Sequence, residues 1–348
     1  MQIIENSKIK EKMYIDKLDN GLTVMVIPKK GVQKKYIIWG VNFGSVDNKF
    51  IIGNSKEITT IPDGIAHYLE HKMFEQRNGI NSLDALSSLG VDANAFTTNN
   101  YTSYLYECTD NFYKALDEFM DYVQNPYYTE ENVEKERGII EQEIAMYDDE
   151  PDWAMYMNTL KLMYHNNPIR IDIAGTKESI AKIDEKTLYT IYNNFYVPEN
   201  MAIAVCGDFE PNKIINEIKQ RMILKPNKEK ITRIYDDEPE EIAGKRTEIK
   251  MEISMPIFTI GYKDKINSEN IVRKDLALEI LGNIIIGKSS KLYKRLYEEG
   301  LILSEFGFYY EYARNYAHLM IQGSSKDPEK VIDEIKNEIE FFINRGIP

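Results

Sequence analysis

Two of the four histidines of this 348-residue chain lie within a single five-residue segment, HYLEH, at positions 67–71. On a helix, His67 and His71 would lie one turn apart on the same face, so both imidazoles could reach one metal ion. Glu70 shares that face and could act as a general base on a water at the metal. This spacing predicts a catalytic zinc site.

The residues around this segment favour a rigid helix. Such a short pattern also arises by chance on a helix that carries two surface histidines, so the flanking residues matter. They form an apolar, core-facing stripe, namely Ile65, Ala66, Leu69, Met73 and Phe74. We therefore predict a helix over 64–76 with Asp63 as its N-cap, which would hold the ligands on a packed element.

A catalytic zinc site needs a third protein ligand. The best candidates lie in a second predicted helix, TEENVEKERGIIEQEIAMYDDE, which Thr129 would cap and Pro151 would end. Glu136 and Glu143 are two helical turns apart on one face of it. Glutamate is common on solvated helix faces, so spacing alone does not choose between these two carboxylates.

The combination of HYLEH and, about seventy residues later, EKERGIIEQE resembles a known family of metallopeptidases. This is the family of insulin-degrading enzyme, pitrilysin and the mitochondrial processing peptidase, which carries an inverted H-x-x-E-H motif. The resemblance implies one Zn²⁺ per chain, bound by His67, His71 and Glu143. It also implies that Glu70 is the general base and that Glu136 supports the site by orienting His67.

A second segment, DANAFTTNNYTSYLYE, is similar to the substrate-binding strand of the same family. The resemblance implies that Asn94 and Ala95, followed by Phe96 and Thr97, begin an edge strand to which a peptide backbone adds as a further strand. Without the zinc motif, this segment would indicate an ordinary hairpin. Further landmarks extend the similarity over almost the whole chain.

The sequence departs from the family at two positions in its C-terminal part. Active members carry an arginine and a tyrosine that bind substrate and stabilise the developing oxyanion, whereas Tyr297 and Leu303 stand at these positions here. Arg295 is nearby but out of register. Some bacterial relatives divide the work between two chains, and this chain resembles the zinc-bearing one. We therefore expect a paralogous subunit that supplies the Arg/Tyr pair, or otherwise a homodimer.

The order of predicted elements indicates an α+β fold with an internal duplication. Strands around the Asn20-Gly21 turn, helices and a hairpin occupy the first part of the chain. A similar order of predicted elements recurs roughly 220 residues later. We predict two related units, each a mostly antiparallel sheet with helices packed on one side, the second of them truncated. The predicted boundaries are 1–223 for the zinc domain, 224–246 for a charged linker and 247–348 for the second domain.

Composition limits the function classes. The net charge of -13 offers no basic stripe for nucleic acid. No apolar run reaches the ~18–20 residues of a membrane span, and the N-terminus lacks the apolar region of a signal peptide, so we expect a cytoplasmic protein without membrane contact. The predicted function is zinc-dependent endoproteolysis of short or unfolded peptides; the alternative is a non-catalytic scaffold or peptide-binding subunit of the same fold.

Overall fold

The computed structural model describes residues 1–227, 229–265, 270–303 and 306–347. The described strands are β1 Gln2–Asn6, β2 Glu11–Lys17, β3 Thr23–Pro28, β4 Lys35–Val41, β5 Lys49–Ile52, β6 Thr59–Thr60, β7 Asp92–Thr97, β8 Thr102–Cys108, β9 Met201–Gly207, β10 Ile231–Arg233, β11 Ile257–Asp264, β12 Gly307–Tyr312 and β13 Ala317–Ser324. The described helices are α1 Ile65–Lys72, α2 Ser82–Ser88, α3 Phe112–Gln124, α4 Glu130–Asp148, α5 Pro151–Met163, α6 Lys177–Ile180, α7 Glu185–Phe195, α8 Pro211–Arg221, α9 Ile271–Ile286, α10 Lys291–Glu298 and α11 Pro328–Arg345. This mixture of sheets and helices confirms the predicted α+β class.

The chain forms two compact units that are interleaved in sequence. The first unit contains Met1–Ile144 and Asp172–Ile234, and the second contains Ala145–Ile171 and the residues from Tyr235 onward. The last division falls inside the predicted linker, 224–246. The boundaries proposed from sequence treat 1–223 as one block, whereas residues 145–171 belong to the second unit. They do so because α5, which they contain, packs on β11 of that unit.

The first unit is built on a seven-stranded sheet with the order β1-β2-β3-β9-β4-β8-β7. Its neighbouring strands are antiparallel except for the parallel pair β3-β9. Alternate side chains of the central strands are buried on one face, among them Val24, Ile37, Trp39, Tyr104 and Ile203. This period of two is the pattern of a sheet with one face in the core. Strand β7 lies at the sheet's edge.

Helix α1 begins and ends differently from the prediction. Its N-cap is Gly64, with a left-handed φ of 90°, and no side chain caps it. Asp63 instead accepts a hydrogen bond from Asn48 Nδ2 at 3.1 Å. A Cβ at position 64 would lie 2.4 Å from the Ala174 carbonyl oxygen, so the chain needs glycine there. The helix ends at Lys72 and not at 76, because Glu75 already forms a β-bridge.

Helix α4 begins where the sequence predicts. The Thr129 hydroxyl accepts a hydrogen bond from the backbone N–H of Asn132 at 3.2 Å, which is the expected capping contact. The helix continues through Asp148, and a new helix, α5, begins at Pro151. The candidate ligands Glu136 and Glu143 therefore lie on one continuous helix.

The second unit repeats part of the strand arrangement of the first. Its sheet has the order β11-β13-β12, which matches β4-β8-β7 both in chain order and in antiparallel pairing. Helix α5 packs on β11 at Gly261, where a Cβ would lie 2.9 Å from Thr159 Cγ2. Close approach of the helix therefore requires glycine. The shared strand order supports the internal duplication predicted from the sequence.

The predicted linker is attached to both units. Residues 231–233 form β10, which pairs with β5 in the first unit. In the second unit, the Glu238 carboxylate accepts backbone hydrogen bonds from residues 165–167 at 2.7–2.9 Å, and Lys263 binds the same carboxylate at 2.5 Å. The segment lacks apolar periodicity because backbone and carboxylate hydrogen bonds hold it, not a buried helical face.

Among the described helices, none is both long and apolar enough to cross a bilayer.

Candidate metal centre

Helix α1 brings its two histidines together on the face that its core-facing residues leave free. The ring centroids of His67 and His71 lie 4.5 Å apart. Most of the other residues of the helix are buried, and the hydroxyl of one of them, Tyr68, donates to the carbonyl oxygen of Val133 on α4. This contact fixes α1 against α4, so the histidines face the helix that carries the candidate third ligand.

Glu143 on α4 completes a three-ligand cluster with the two histidines. His67 Nε2 lies 3.6 Å from Glu143 Oε1, and His71 Nε2 lies 3.5 Å from Glu143 Oε2. One ligand atom from each residue lies within 4.8 Å of the other two, and among the residues described here no other group of three such side chains does so. The structure therefore selects Glu143 over Glu136 as the third member.

The geometry and chemistry of this cluster fit zinc. Ligand atoms bound tetrahedrally at about 2.0–2.2 Å lie roughly 3.3–3.6 Å from one another, which matches the separations of Glu143 from the two imidazoles. Two imidazoles and one carboxylate form a known catalytic donor set that leaves one coordination position open. The residues that the structure brings together can therefore hold Zn²⁺, as the sequence predicts.

The two histidines have different electrostatic surroundings. Burial and the nearby His71 lower the pKa of His67 to about 3, so its ring is neutral at physiological pH, as a metal ligand must be. Burial alone would lower the pKa of His71, but its hydrogen bond to Glu136 and the surrounding carboxylates raise it. His67 Nδ1 is buried and has no hydrogen-bond partner among the described residues.

Glu136 contacts His71, and not His67 as expected. Its Oε1 lies 3.0 Å from His71 Nδ1, whereas the family resemblance implied that it orients His67. Glu136 and Glu143 lie two turns apart on α4. Glu143 approaches Nε2 of the His71 ring, and Glu136 approaches Nδ1 on the other side of the same ring. Although burial would raise the pKa of Glu136, the contact with His71 and the nearby charge of Lys72 lower it. A carboxylate at Nδ1 fixes the ring with Nε2 free for metal.

Sequence reasoning missed Lys72 and its carboxylate partners. Its side chain is fully buried, and its Nζ lies 2.5 Å from Glu75 and 3.8 Å from Glu136. A signal was available, because Lys72 follows Leu69 by three residues on the apolar stripe of the helix. A lysine is rarely buried without a charged partner, so its position there indicates a nearby carboxylate.

Replacing Glu136 by glutamine is expected to weaken zinc binding about 10- to 100-fold, the usual effect of removing such a supporting carboxylate. The amide loses the charge that favours the correct His71 tautomer while leaving all three ligands in place. Competition with a metal chelator measures the change in affinity. Glu141→Gln, on the same helix, is the matched control, and equal affinity of Glu136→Gln and wild type would contradict the assignment.

The Glu70 carboxylate lies beside this cluster and is buried. The Thr97 hydroxyl donates a hydrogen bond to its Oε2 at 2.5 Å. Burial raises the pKa of Glu70, while the Thr97 hydrogen bond and the charge of His71 oppose that rise. A buried carboxylate next to a metal centre, with a raised pKa, has the properties of a general base.

The remaining predicted binding residues lie on the edge strand β7. Asn94, Ala95 and Phe96 are in the middle of this strand, which contacts α1. Phe96 is 37% exposed, and its ring centroid lies 6.0 Å from that of Tyr101. One side of β7 pairs with β8, and within the described part of the chain its other side has no strand neighbour. That side can accept an extended peptide.

In the second unit, a tyrosine and a leucine stand at the positions where an arginine and a tyrosine are expected. Tyr297 and Leu303 are 55% and 46% exposed. Arg295, the nearest arginine in sequence, binds Glu334 on α11 at 2.7 Å. The guanidinium that could have substituted for the missing arginine is therefore paired within its own unit.

Two family profiles together match most of the chain. Residues 53–177 match "Insulinase (Peptidase family M16)", and residues 182–348 match "Peptidase M16 inactive domain". The first match contains all the residues of the metal cluster, together with Glu70 and β7.

Individual proteins are similar over nearly the full chain. An uncharacterized zinc protease of Bacillus subtilis, YmfH, is 39% identical over 339 residues, covering 96% of this chain and 79% of that protein. An uncharacterized zinc protease of Rickettsia felis is 26% identical, covering 95% of this chain and 78% of that protein. A solved M16-like peptidase structure from Alicyclobacillus acidocaldarius has a TM-score of 0.93 at 32% identity, covering 99% of this chain and 81% of that one.

Proposed function

Since the chain belongs to the insulinase family of M16 peptidases, as its motif predicted, we propose that it is a zinc-dependent endopeptidase. The observation that carries this proposal is the convergence of His67, His71 and Glu143 within 4.8 Å. The buried Glu70 lies on α1 with the two histidines. The profile named for an inactive domain covers residues 182–348, which contain none of these four.

Each residue of the centre has a distinct task in the proposed reaction. His67, His71 and Glu143 hold the metal, and Glu136 keeps His71 in the tautomer that binds it. Zinc, when bound, supplies a Lewis acid that makes water a nucleophile near neutral pH and polarises the peptide carbonyl. Glu70 accepts the proton of the attacking water and later returns it to the leaving amine.

The proposed substrates are short or unfolded peptides. A peptide that adds to the free side of β7 must present an extended backbone, with Asn94 and Ala95 aligned along it. A folded protein has its backbone groups already paired and cannot offer such a segment. The exposed ring of Phe96 would contact side chains of the bound strand.

We further propose that full activity requires a second, paralogous chain. The positions that provide an arginine and a tyrosine in active relatives are Tyr297 and Leu303 here, and Arg295 is engaged by Glu334. Without those donors, the developing oxyanion would lose stabilisation, which costs on the order of 10²–10³ in rate for one donor. A paralogue that lacks the zinc motif but carries the pair would restore it.

Metal analysis and a reconstitution assay test these proposals together. We expect about one zinc per chain, weak cleavage of an unfolded peptide by the chain alone, and faster cleavage after addition of a paralogue that lacks the zinc motif but carries the arginine and tyrosine. A chain without stoichiometric zinc would favour the scaffold alternative. Full activity of the isolated chain would support the peptidase but refute the two-chain arrangement.

A further inference from the structure

A single hydrogen bond links the edge strand β7 to the proposed general base. Thr97 is the last residue of β7, and its hydroxyl donates to Glu70 Oε2 at 2.5 Å. A hydroxyl that donates to an ionised carboxylate forms a charge-assisted hydrogen bond, which belongs to the stronger class. The strand proposed to hold the substrate therefore also contacts the residue proposed to activate water.

The neighbouring threonine leaves the hydrogen of Thr97 available to Glu70. Thr102 lies opposite Thr97 in the β7-β8 pair, and the two hydroxyl oxygens are 3.4 Å apart. The Thr102 hydroxyl donates to the Phe43 carbonyl oxygen at 3.0 Å, so its one hydrogen is committed there. A carboxylate accepts but does not donate, so Thr97 is the donor to Glu70.

The position of Thr97 is fixed by the hairpin turn that follows it. The Thr98 backbone N–H donates to the Tyr101 carbonyl oxygen at 2.8 Å, and the Thr98 carbonyl oxygen accepts from the Ser45 N–H at 3.2 Å. The approach of the 43–47 loop needs Gly44, since a Cβ there would lie 2.5 Å from the backbone of Asn99. The end of β7 is therefore held from two directions.

We propose that Thr97 is a positioning residue, which holds one oxygen of the Glu70 carboxylate and leaves the other to accept the proton of water. This inference rests on the proposed function. Because Thr97 terminates β7, the strand that aligns the peptide also sets the orientation of the base. Loss of the hydroxyl would let the carboxylate rotate and would lower turnover more than peptide binding.

A double-mutant cycle on the metal-free chain tests the contact without any need for hydrolysis. Thr97→Val keeps the shape of the side chain and removes the donor, and Glu70→Leu removes the acceptor. We expect Thr97→Val to raise the unfolding equilibrium constant about 10-fold in the wild-type background, but less than about 3-fold in the Glu70→Leu background. Equal effects in the two backgrounds would overturn the proposal.

Kinetics of the zinc-loaded chain with its paralogue test the functional consequence. We expect Thr97→Val to lower kcat about 10- to 100-fold with KM and zinc content unchanged, and Thr97→Ser to restore most of it. The control is Thr232→Val, at an exposed strand position of the same unit. Wild-type kcat in Thr97→Val would overturn the positioning role. Absence of hydrolysis by wild type would instead contradict the proposed function, and the unfolding cycle would still decide the contact.

Discussion

Glu70→Gln is expected to retain zinc and lose hydrolysis, with kcat lowered by about 10²–10⁴ or more. Glutamine keeps the volume of the buried side chain and can still accept the hydrogen bond from Thr97. It cannot accept a proton from water, so the general base is lost while the three ligands stay in place. Zinc content by elemental analysis and peptide cleavage rates, measured on the same preparation, separate the two effects.

The matched control for this substitution is Glu141→Gln, which changes a glutamate on α4 outside the metal cluster. It should leave both zinc content and cleavage at wild-type values. Cleavage that survives in Glu70→Gln would show that another base, or a contaminating protease, is responsible. Loss of zinc in the same variant would assign Glu70 to the metal and not to the water.

Glu143→Ala is expected to remove stoichiometric zinc and, with it, all activity. Only the two imidazoles of His67 and His71 would remain, and a catalytic site needs three protein ligands. The loss of zinc affinity should be larger than the loss of about 10- to 100-fold that we expect for Glu136→Gln. Titration with zinc in the presence of a chelator measures both variants on one scale.

Glu141→Ala serves as the control for Glu143→Ala, because it shortens a side chain two residues away on the same helix. Far-ultraviolet circular dichroism of the metal-free proteins should be alike. If Glu143→Ala bound zinc as tightly as Glu136→Gln, the third ligand would have to be reassigned. A result of that kind would also remove the main observation behind the proposed function.

The two histidines of the candidate zinc site could be predicted because their arrangement depends only on local helical spacing. Helical spacing alone places His67 and His71 on one face of α1, and the same argument places Glu136 and Glu143 on one face of α4. The choice of Glu143 came from the family resemblance, and the structure places this residue against both imidazoles. The family membership itself was confirmed by the comparisons.

Contacts between distant segments were harder to foresee. Lys72 binds Glu136 across 64 residues of sequence, a contact that depends on how α1 and α4 pack. The partner of Glu136 depended on the side of the His71 ring that it approaches. The early end of α1 depended on the bridge between Glu75 and Asn81. The family resemblance placed Thr97 on the substrate-binding strand, but nothing in the sequence indicated its contact with Glu70, because that contact depends on how β7 packs beside α1.

The interleaving of the two units has a consequence for synthesis on the ribosome. Helix α5 packs on β11, which begins only at Ile257, so the helix emerges long before its sheet exists. The nascent chain must carry α5 without its packing partner while the first unit completes its own sheet with β9. A protein truncated between residues 223 and 247 would lack β11, so α5 would stay without its packing partner. Its apolar side chains would then be exposed to aggregation and chaperone binding.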